Sequence, residues 1–153
     1  MESMDRKILE LLARDGRMTY TDLGKETGLS TSAAQQRVRR LEQRGIITGY
    51  RAMIDPEALG KRLTAFISVR PLNPDDEAPL PSIVSEMAQI VSCYSVAGDS
   101  SYVLKAQVAD PAELDRLLST IRVSARASTI TTVVLNTFFN DRSPIDDDFA
   151  HTD

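Results

Sequence analysis

Residues 19–51 read TYTDLGKETGLSTSAAQQRVRRLEQRGIITGYR. Their caps, glycines and apolar spacing decide the fold of the N-terminal part. Thr19 has the side chain of a helix N-cap, with Asp22 three residues on as its return partner. Leu23 falls on the inward face of the short helix that follows. Gly28 stands where this helix must end and turn sharply, a place that favours a residue without a Cβ. Leu29 plugs the turn, and Ser30 caps a second helix over Thr31 to Arg44. Within it Ala34, Val38 and Leu41 follow the i, i+4, i+7 spacing of an apolar stripe. Gly45 stops the helix, and Ile46 to Ile54 alternates as a short β wing. The whole is the pattern of a winged helix-turn-helix.

The face away from the stripe carries Thr31, Ser32, Gln35, Gln36, Arg39 and Arg40. Small polar side chains at the start of a helix, Ser30 to Ser32 here, let it enter the major groove deeply. Gln35 and Gln36 can pair with a base edge. Arg37, Arg39, Arg40 and Arg44 can neutralise phosphates on either side, and Arg17 can reach another from the preceding turn. The bland alternative is a solvated basic helix in an ordinary helical hairpin, with Arg17 a plain surface charge.

A net charge of −4 looks wrong for a nucleic-acid binder, but it is unevenly spread. Residues 1–61 hold 11 Lys/Arg and 9 Asp/Glu, a net +2, whereas residues 62–153 hold 7 and 13, a net −6. Thr31 to Arg51 alone has five arginines against Glu42, a local +4. The field on the docking face governs DNA binding, and the acidic second half is expected to stay off DNA. Trp is absent and aromatics are 5%, which removes a stacking platform for single strands. The apolar runs are too short for a membrane span, MESMDRK has no signal core, and the one cysteine, Cys93, fits a reducing compartment. A cytoplasmic protein without membrane attachment is expected.

Four segments are expected: a DNA-binding domain over 1–51, a linker over 52–61, a second domain over 62–140 and an acidic tail over 141–153. A first helix, Met4 to Asp15, packs Ile8, Leu11 and Leu12 behind the helix-turn-helix pair. In the linker, Asp55-Pro56 favours a turn and Gly60 a break. Leu63 to Arg70 alternates as a strand. Ser82 to Ile90 reads as a helix with Ile83, Met87 and Ile90 inward, and Val91 to Val96 and Ser101 to Val108 as strands. Asp110-Pro111 opens a helix striped by Leu114, Leu117, Leu118 and Ile121. Thr129 to Phe139 closes as a strand. The order β-α-β-β-α-β fits a ferredoxin-like α+β domain with two helices on one sheet face. Phe66, Val103, Ile130, Val134 and Phe138 leave the other face apolar in part. A symmetric partner sheet is the simplest cover, and a monomer with one wetted face is the alternative.

Small-molecule chemistry points to the turn Val96-Ala97-Gly98-Asp99-Ser100-Ser101. Gly98 permits a backbone shape that exposes N–H groups, and these with the serine hydroxyls can hold a carboxylate. Asp99 or a main-chain carbonyl can hold an ammonium. Thr129, Thr131 and Thr132 on the last strand add hydroxyls, and Tyr94 and Val96 can line a side-chain pocket. The bland reading is a hairpin turn followed by threonines of ordinary β propensity. Catalytic constellations fail: His151 is the lone histidine and sits in the tail, Cys93 has no histidine partner, and no metal-ligand spacing or phosphate-cradling glycine loop is present. Asp146-Asp147-Asp148 reads as a solvated acidic run.

Four stretches resemble one family. MDRKILELLARDGR, LGKETGLSTSAAQQRVRRLEQRGIITGYRAMIDPEALG, SCYSVAGDSSYVLKAQV and LNTFF are similar to the leucine-responsive regulatory protein/AsnC, or feast/famine, transcription regulators. The resemblance spans roughly residues 4–140. It implies an N-terminal winged helix-turn-helix, a linker and a ferredoxin-like effector domain. It also implies homodimers, often built into octamers, and an amino acid or related metabolite bound between dimers around the Gly98-Asp99 turn and the last strand. The family often has an aromatic residue and a second aspartate before the tyrosine, where this chain has Ser100 and Ser101. A double-stranded DNA reader that needs no cofactor or metal and answers to a metabolite is therefore expected. A ligand-independent architectural DNA binder and an enzyme on the second domain stand as alternatives.

Overall fold

The computed structural model describes residues 1–145 and divides into two compact units. The first is Met1–Met53 together with the segment that begins at Phe139, and the second is Ile54–Phe138. The expected boundaries were 51 and 62, with the residues up to 140 in the second domain. The structure instead breaks at 53/54 and assigns the chain from Phe139 to the first unit. Asp146 to Asp148 and His151 lie outside the described residues, as does most of the expected acidic tail.

Three helices make the first unit: α1 (Ser3–Arg14), α2 (Tyr20–Thr27) and α3 (Thr31–Gln43). Ile8, Leu23, Ala34, Val38 and Leu41 are buried at their centre. Each larger aliphatic side chain removed from water there contributes about 1.5–3 kcal/mol. Both expected caps form: Thr19 Oγ1 accepts from the Asp22 N–H at 3.1 Å, and Ser30 Oγ from the Ala33 N–H at 3.2 Å. The return partnership of Asp22 runs through side chains, because Thr19 Oγ1 donates to Asp22 Oδ2 at 2.7 Å. Gly28 ends α2 in the left-handed region, at φ +72°.

Gly24, which the sequence pattern did not flag, is the tighter requirement. A Cβ there would stand 2.6 Å from the Leu29 carbonyl oxygen, so α2 and the turn approach too closely for any side chain.

The expected wing does not form. Ile46 to Ile54 contains no strand; the N–H groups of Ile46 and Ile47 turn back to the Leu41 carbonyl at 2.9 and 3.2 Å. A strand needs a ladder partner, and this unit offers none among its described residues.

In the second unit, a one-turn 3-10 helix (Glu57–Leu59) precedes β1 (Leu63–Pro71), α4 (Leu80–Ser85), β2 (Ile90–Ser95), β3 (Tyr102–Val108), α5 (Pro111–Ser124) and β4 (Ala127–Val133). The strands form one antiparallel sheet in the order β2-β3-β1-β4, the ferredoxin-like arrangement. Ala65, Ile67 and Val69 of β1 and Leu104, Ala106 and Val108 of β3 point to the helix side. There they pack with Leu80 and Val84 of α4 and Leu114, Leu117 and Ile121 of α5.

Several boundaries move. The first helix of this unit starts at Leu80, not Ser82, and stops at Ser85, so Leu80 and Val84 are its buried residues and Ile90 belongs to β2. The last strand ends at Val133, not Phe139. Its partner β1 begins at Leu63, and after the Val134 N–H bonds to Thr64 O at 2.9 Å no ladder remains to pair with.

Candidate functional site

Advancing ~100° per residue, helix α3 turns Ser32, Gln36, Arg39, Arg40 and Gln43 away from its Ala34–Val38–Leu41 stripe. These five are exposed, whereas Gln35 is half-buried at the flank. At the N-terminal end, Ser30 Oγ lies 3.2 Å from Ser32 Oγ, and Thr31 Oγ1 donates weakly to Thr21 Oγ1 at 3.5 Å. The helix thus offers small hydroxyls first, an amide in the middle and two outward guanidiniums on its last turns. Arg17 is exposed, in a turn fixed by its N–H donating to Asp15 Oδ1 at 2.9 Å.

Arg37 departs from the expected set. Its Nη1 donates to Asp5 Oδ1 and to Glu2 Oε2, both at 2.7 Å, and Asp5 is only 3% exposed. The bonds to Glu2 and Asp5 hold its pKa above the usual arginine value. At the edge of the buried stripe it faces α1, so it is not among the outward cations. The signal for this lies in the spacing of α1: Asp5 stands three residues before Ile8 and seven before Leu12, on the inward face, where a carboxylate requires a partner.

Behind α3, Leu12, Gly16, Met18, Tyr20, Val38, Glu42 and Tyr50 line a recess of about 200 Å³. The Tyr50 hydroxyl donates to Glu42 Oε1 at 3.0 Å, and burial together with this carboxylate pushes its pKa up to about 12.

In the second unit, the 96–101 turn is closed by the Val96 N–H donating to Ser101 O at 3.0 Å and anchored by the Ser101 N–H donating to Val69 O at 3.1 Å. Among the described residues the N–H groups of Ala97, Gly98, Asp99 and Ser100 have no partner, and residues 97–99 are exposed. Four free donors in succession are groups that an anion could engage.

The threonines do not converge as expected. Thr129 and Thr131 pair with Val69 and Ile67 and share their helix side, whereas Thr132 pairs with Phe66 on the opposite face. A strand's period of two separates adjacent threonines by necessity. Thr129 Oγ1 also accepts from Arg122 Nε at 2.9 Å. Tyr94 registers with Val103, which pairs in turn with Ser68, so its ring lies on the open face. That face also carries Phe66 and Ile130, which are 38% and 74% exposed.

Other chemistry is thin. Among the described residues no group of three or more His, Cys, Asp or Glu could hold a metal ion. Cys93 is exposed on β2, and partial desolvation pushes its thiol up, away from the reactive thiolate. No helix among the described residues is long and apolar enough to cross a membrane.

Residues 1–42 match the AsnC-type helix-turn-helix domain, and residues 64–144 match the Lrp/AsnC ligand binding domain. The HTH-type transcriptional regulator LrpA of Mycobacterium tuberculosis is 46% identical over 145 residues, covering 95% of this chain and 97% of that protein. The leucine-responsive regulatory protein of Haemophilus influenzae is 37% identical, covering 88% of this chain and 84% of its own. The feast or famine regulatory protein of M. tuberculosis, solved in complex with L-methionine, superposes with a TM-score of 0.91 at 46% identity, covering 95% and 99% of the two chains. A transcriptional regulator of Neisseria meningitidis, also solved with L-methionine, gives 0.88 at 26% identity over 95% and 97%. With both domain types matched in order, the chain belongs to the Lrp/AsnC family, whose members are transcriptional regulators and not enzymes.

Proposed function

We propose that this regulator reads double-stranded DNA through the outward face of α3 and senses an amino acid in its second unit. The observation that carries the DNA half is the sequence of groups on that face: hydroxyls at Ser30, Thr31 and Ser32, amides at Gln35 and Gln36, then Arg39 and Arg40. Arg17 adds a phosphate contact from the turn before α2. Base edges are met by the amides and phosphates by the guanidiniums.

The effector half rests on the free N–H groups of the Gly98 turn. They take the ligand carboxylate, with Asp99 facing the ammonium, and Ser100, Ser101 and Thr131 completing the polar shell. L-Methionine is the first ligand to try, because two structural relatives were solved with it. The open sheet face, with Phe66, Tyr94, Val103 and Ile130, suits a second copy of the chain, and homodimers stacking into octamers would place the turn at a subunit boundary. The protein acts in the cytoplasm, where its DNA lies. Ligand binding changes the assembly and so the spacing of the reading helices, an allosteric coupling through a two-state interface.

Calorimetry with L-methionine and a panel of amino acids, run beside DNA-binding titrations with and without each ligand, tests both halves. Binding of an amino acid that also shifts DNA affinity or oligomer mass is the expected result. DNA binding without any amino-acid response would leave the ligand-independent architectural role. That outcome has its own support in Ser100 and Ser101, which supply no second carboxylate for an ammonium.

A further inference from the structure

We infer that Arg37 is a positioning residue for DNA reading: held by Asp5 of α1 and Glu2 at its N-cap, it fixes the roll of α3 and thereby the presentation of Gln36, Arg39 and Arg40. The inference rests on the reading that α3 enters duplex DNA.

Apolar burial alone does not set this roll. The inward stripe of α3 is Ala34, Val38 and Leu41, two of them small. Hydrophobic contact is non-directional, and such a stripe tolerates rotation against its neighbours. A roll of roughly 20° carries a side-chain tip, ~5–6 Å from the helix axis, through about 2 Å. A base-edge hydrogen bond does not survive that displacement.

The Arg37 contacts are directional. One nitrogen, Nη1, donates to two carboxylates at 2.7 Å, and both belong to the start of the chain. Asp5 is almost wholly buried, so its carboxylate demands a partner and penalises any roll that withdraws the guanidinium. Glu2 is 62% exposed and adds a second, weaker tether from the N-cap. Among the residues of α3 with a charged side chain, Arg37 is the one that is not exposed. Its charge is met within the protein by two carboxylates, so it adds little to the field on the DNA side.

Positioning and phosphate neutralisation give opposite signatures in a salt titration. Each phosphate contact contributes about 0.9 to the slope of log K against log salt, for any sequence. A positioning residue leaves this slope alone and changes the ratio between the right sequence and a wrong one.

The test uses the full chain and two duplexes: one enriched from a random pool by the wild type, and a scramble of it. Arg37→Gln and Asp5→Asn should each weaken binding to the enriched duplex about tenfold while leaving the scramble and the slope unchanged. Arg37→Lys, which keeps one charged contact, should recover part of the ratio, and Glu2→Gln should lose a smaller part. Arg39→Ala is the internal contrast, lowering the slope on both duplexes.

A slope lost in Arg37→Gln to the same extent as in Arg39→Ala makes Arg37 a phosphate contact and overturns the inference. So does an unchanged ratio in folded Asp5→Asn and Glu2→Gln. If circular dichroism shows Arg37→Gln or Asp5→Asn unfolded, Glu2→Gln and Arg37→Lys decide by the same ratio, since the Glu2 change lies on the surface. A wild type that enriches no sequence at all overturns the DNA-reading assignment, and the role of the clamp with it.

Discussion

Lys61, the second residue after the 3-10 turn of the linker, donates from Nζ to both carboxylate oxygens of Glu113 in the first turn of α5, at 3.0 and 3.3 Å. The Ala109 N–H and Gln89 Nε2, the latter at 3.3 Å, complete the ring of donors around the same carboxylate. One acidic side chain therefore ties together the entry to β1, the start of β2 and the N-terminus of α5. The backbone donor first, then Lys61 and Gln89, hold its pKa down to about 2 from an ordinary 4.5.

The depressed value has a defined pH consequence. A carboxyl whose pKa is lower in the folded state stabilises that state fully above its unfolded pKa and loses the contribution as pH falls through the folded one. The window here runs from about 4.5 down to about 2. Glu113→Gln should lower the melting temperature of the second unit at pH 7 and flatten its decline between pH 4.5 and 2. Thermal melts of the two proteins across that range are the check. Parallel curves would show that Glu113 makes no differential contribution.

Glycines 24 and 28 separate two kinds of constraint within one turn. Gly28→Ala meets open space but must hold φ +72°, at a cost of ~1–2 kcal/mol. Gly24→Ala drives a Cβ to 2.6 Å from a backbone carbonyl, so α2 and the turn must separate, at roughly 1–3 kcal/mol or more. Gly24→Ala should be the more destabilising change in a denaturant titration and the more damaging to DNA binding. Equal midpoints would mean that the turn relaxes freely.

On the outward face of α3, Arg39→Ala and Arg40→Ala should each reduce the salt slope of DNA binding by about 0.9 and weaken all sequences alike. Gln36→Ala, and to a lesser degree Gln35→Ala at the helix flank, should instead relax preference at particular bases by ~1–3 kcal/mol. Titrations at several salt concentrations on matched and mismatched duplexes distinguish the two classes. A salt slope unaffected by both arginine changes would move the DNA face elsewhere.

What could be read in the sequence was what local chemistry determines. The caps at Thr19, Ser30 and Asp110, the stripe of α3, the alternation of β1 and the order of elements all follow from short-range rules, and each is in the structure. The failures share a cause: they depend on partners distant in sequence. Ile46 to Ile54 has strand-like residues but no strand to pair with, and β4 stops where β1 runs out. Arg37 looked like its neighbours Arg39 and Arg40 until Asp5, from another helix, claimed it. The three threonines looked equivalent until their register with β1 put Thr132 on the opposite face from Thr129 and Thr131. Gly24 carries no local signature, because its requirement is the carbonyl of Leu29, five residues on, and not its own backbone angle.

That division of the threonines gives the effector assignment a sharper test. If the ligand sits against the Gly98 turn on the helix side of the sheet, Thr131→Val should weaken it by ~1–3 kcal/mol, since the shape is kept and only the hydroxyl is lost. Thr132→Val should leave ligand binding unchanged, because its side chain registers with Phe66 on the other face. Gly98→Val should remove binding: a Cβ there meets nothing within 4 Å, but the backbone sits at φ +158°, which a β-branched residue resists, so the turn must shift and carry its free N–H groups with it. Isothermal calorimetry with L-methionine, or with whichever amino acid raises the melting temperature of the wild type, supplies the comparison. The reverse order, with Thr132→Val damaging and Thr131→Val silent, would put the ligand on the open face beside Phe66 and Ile130. Tight binding retained by folded Gly98→Val would remove the turn from the site altogether.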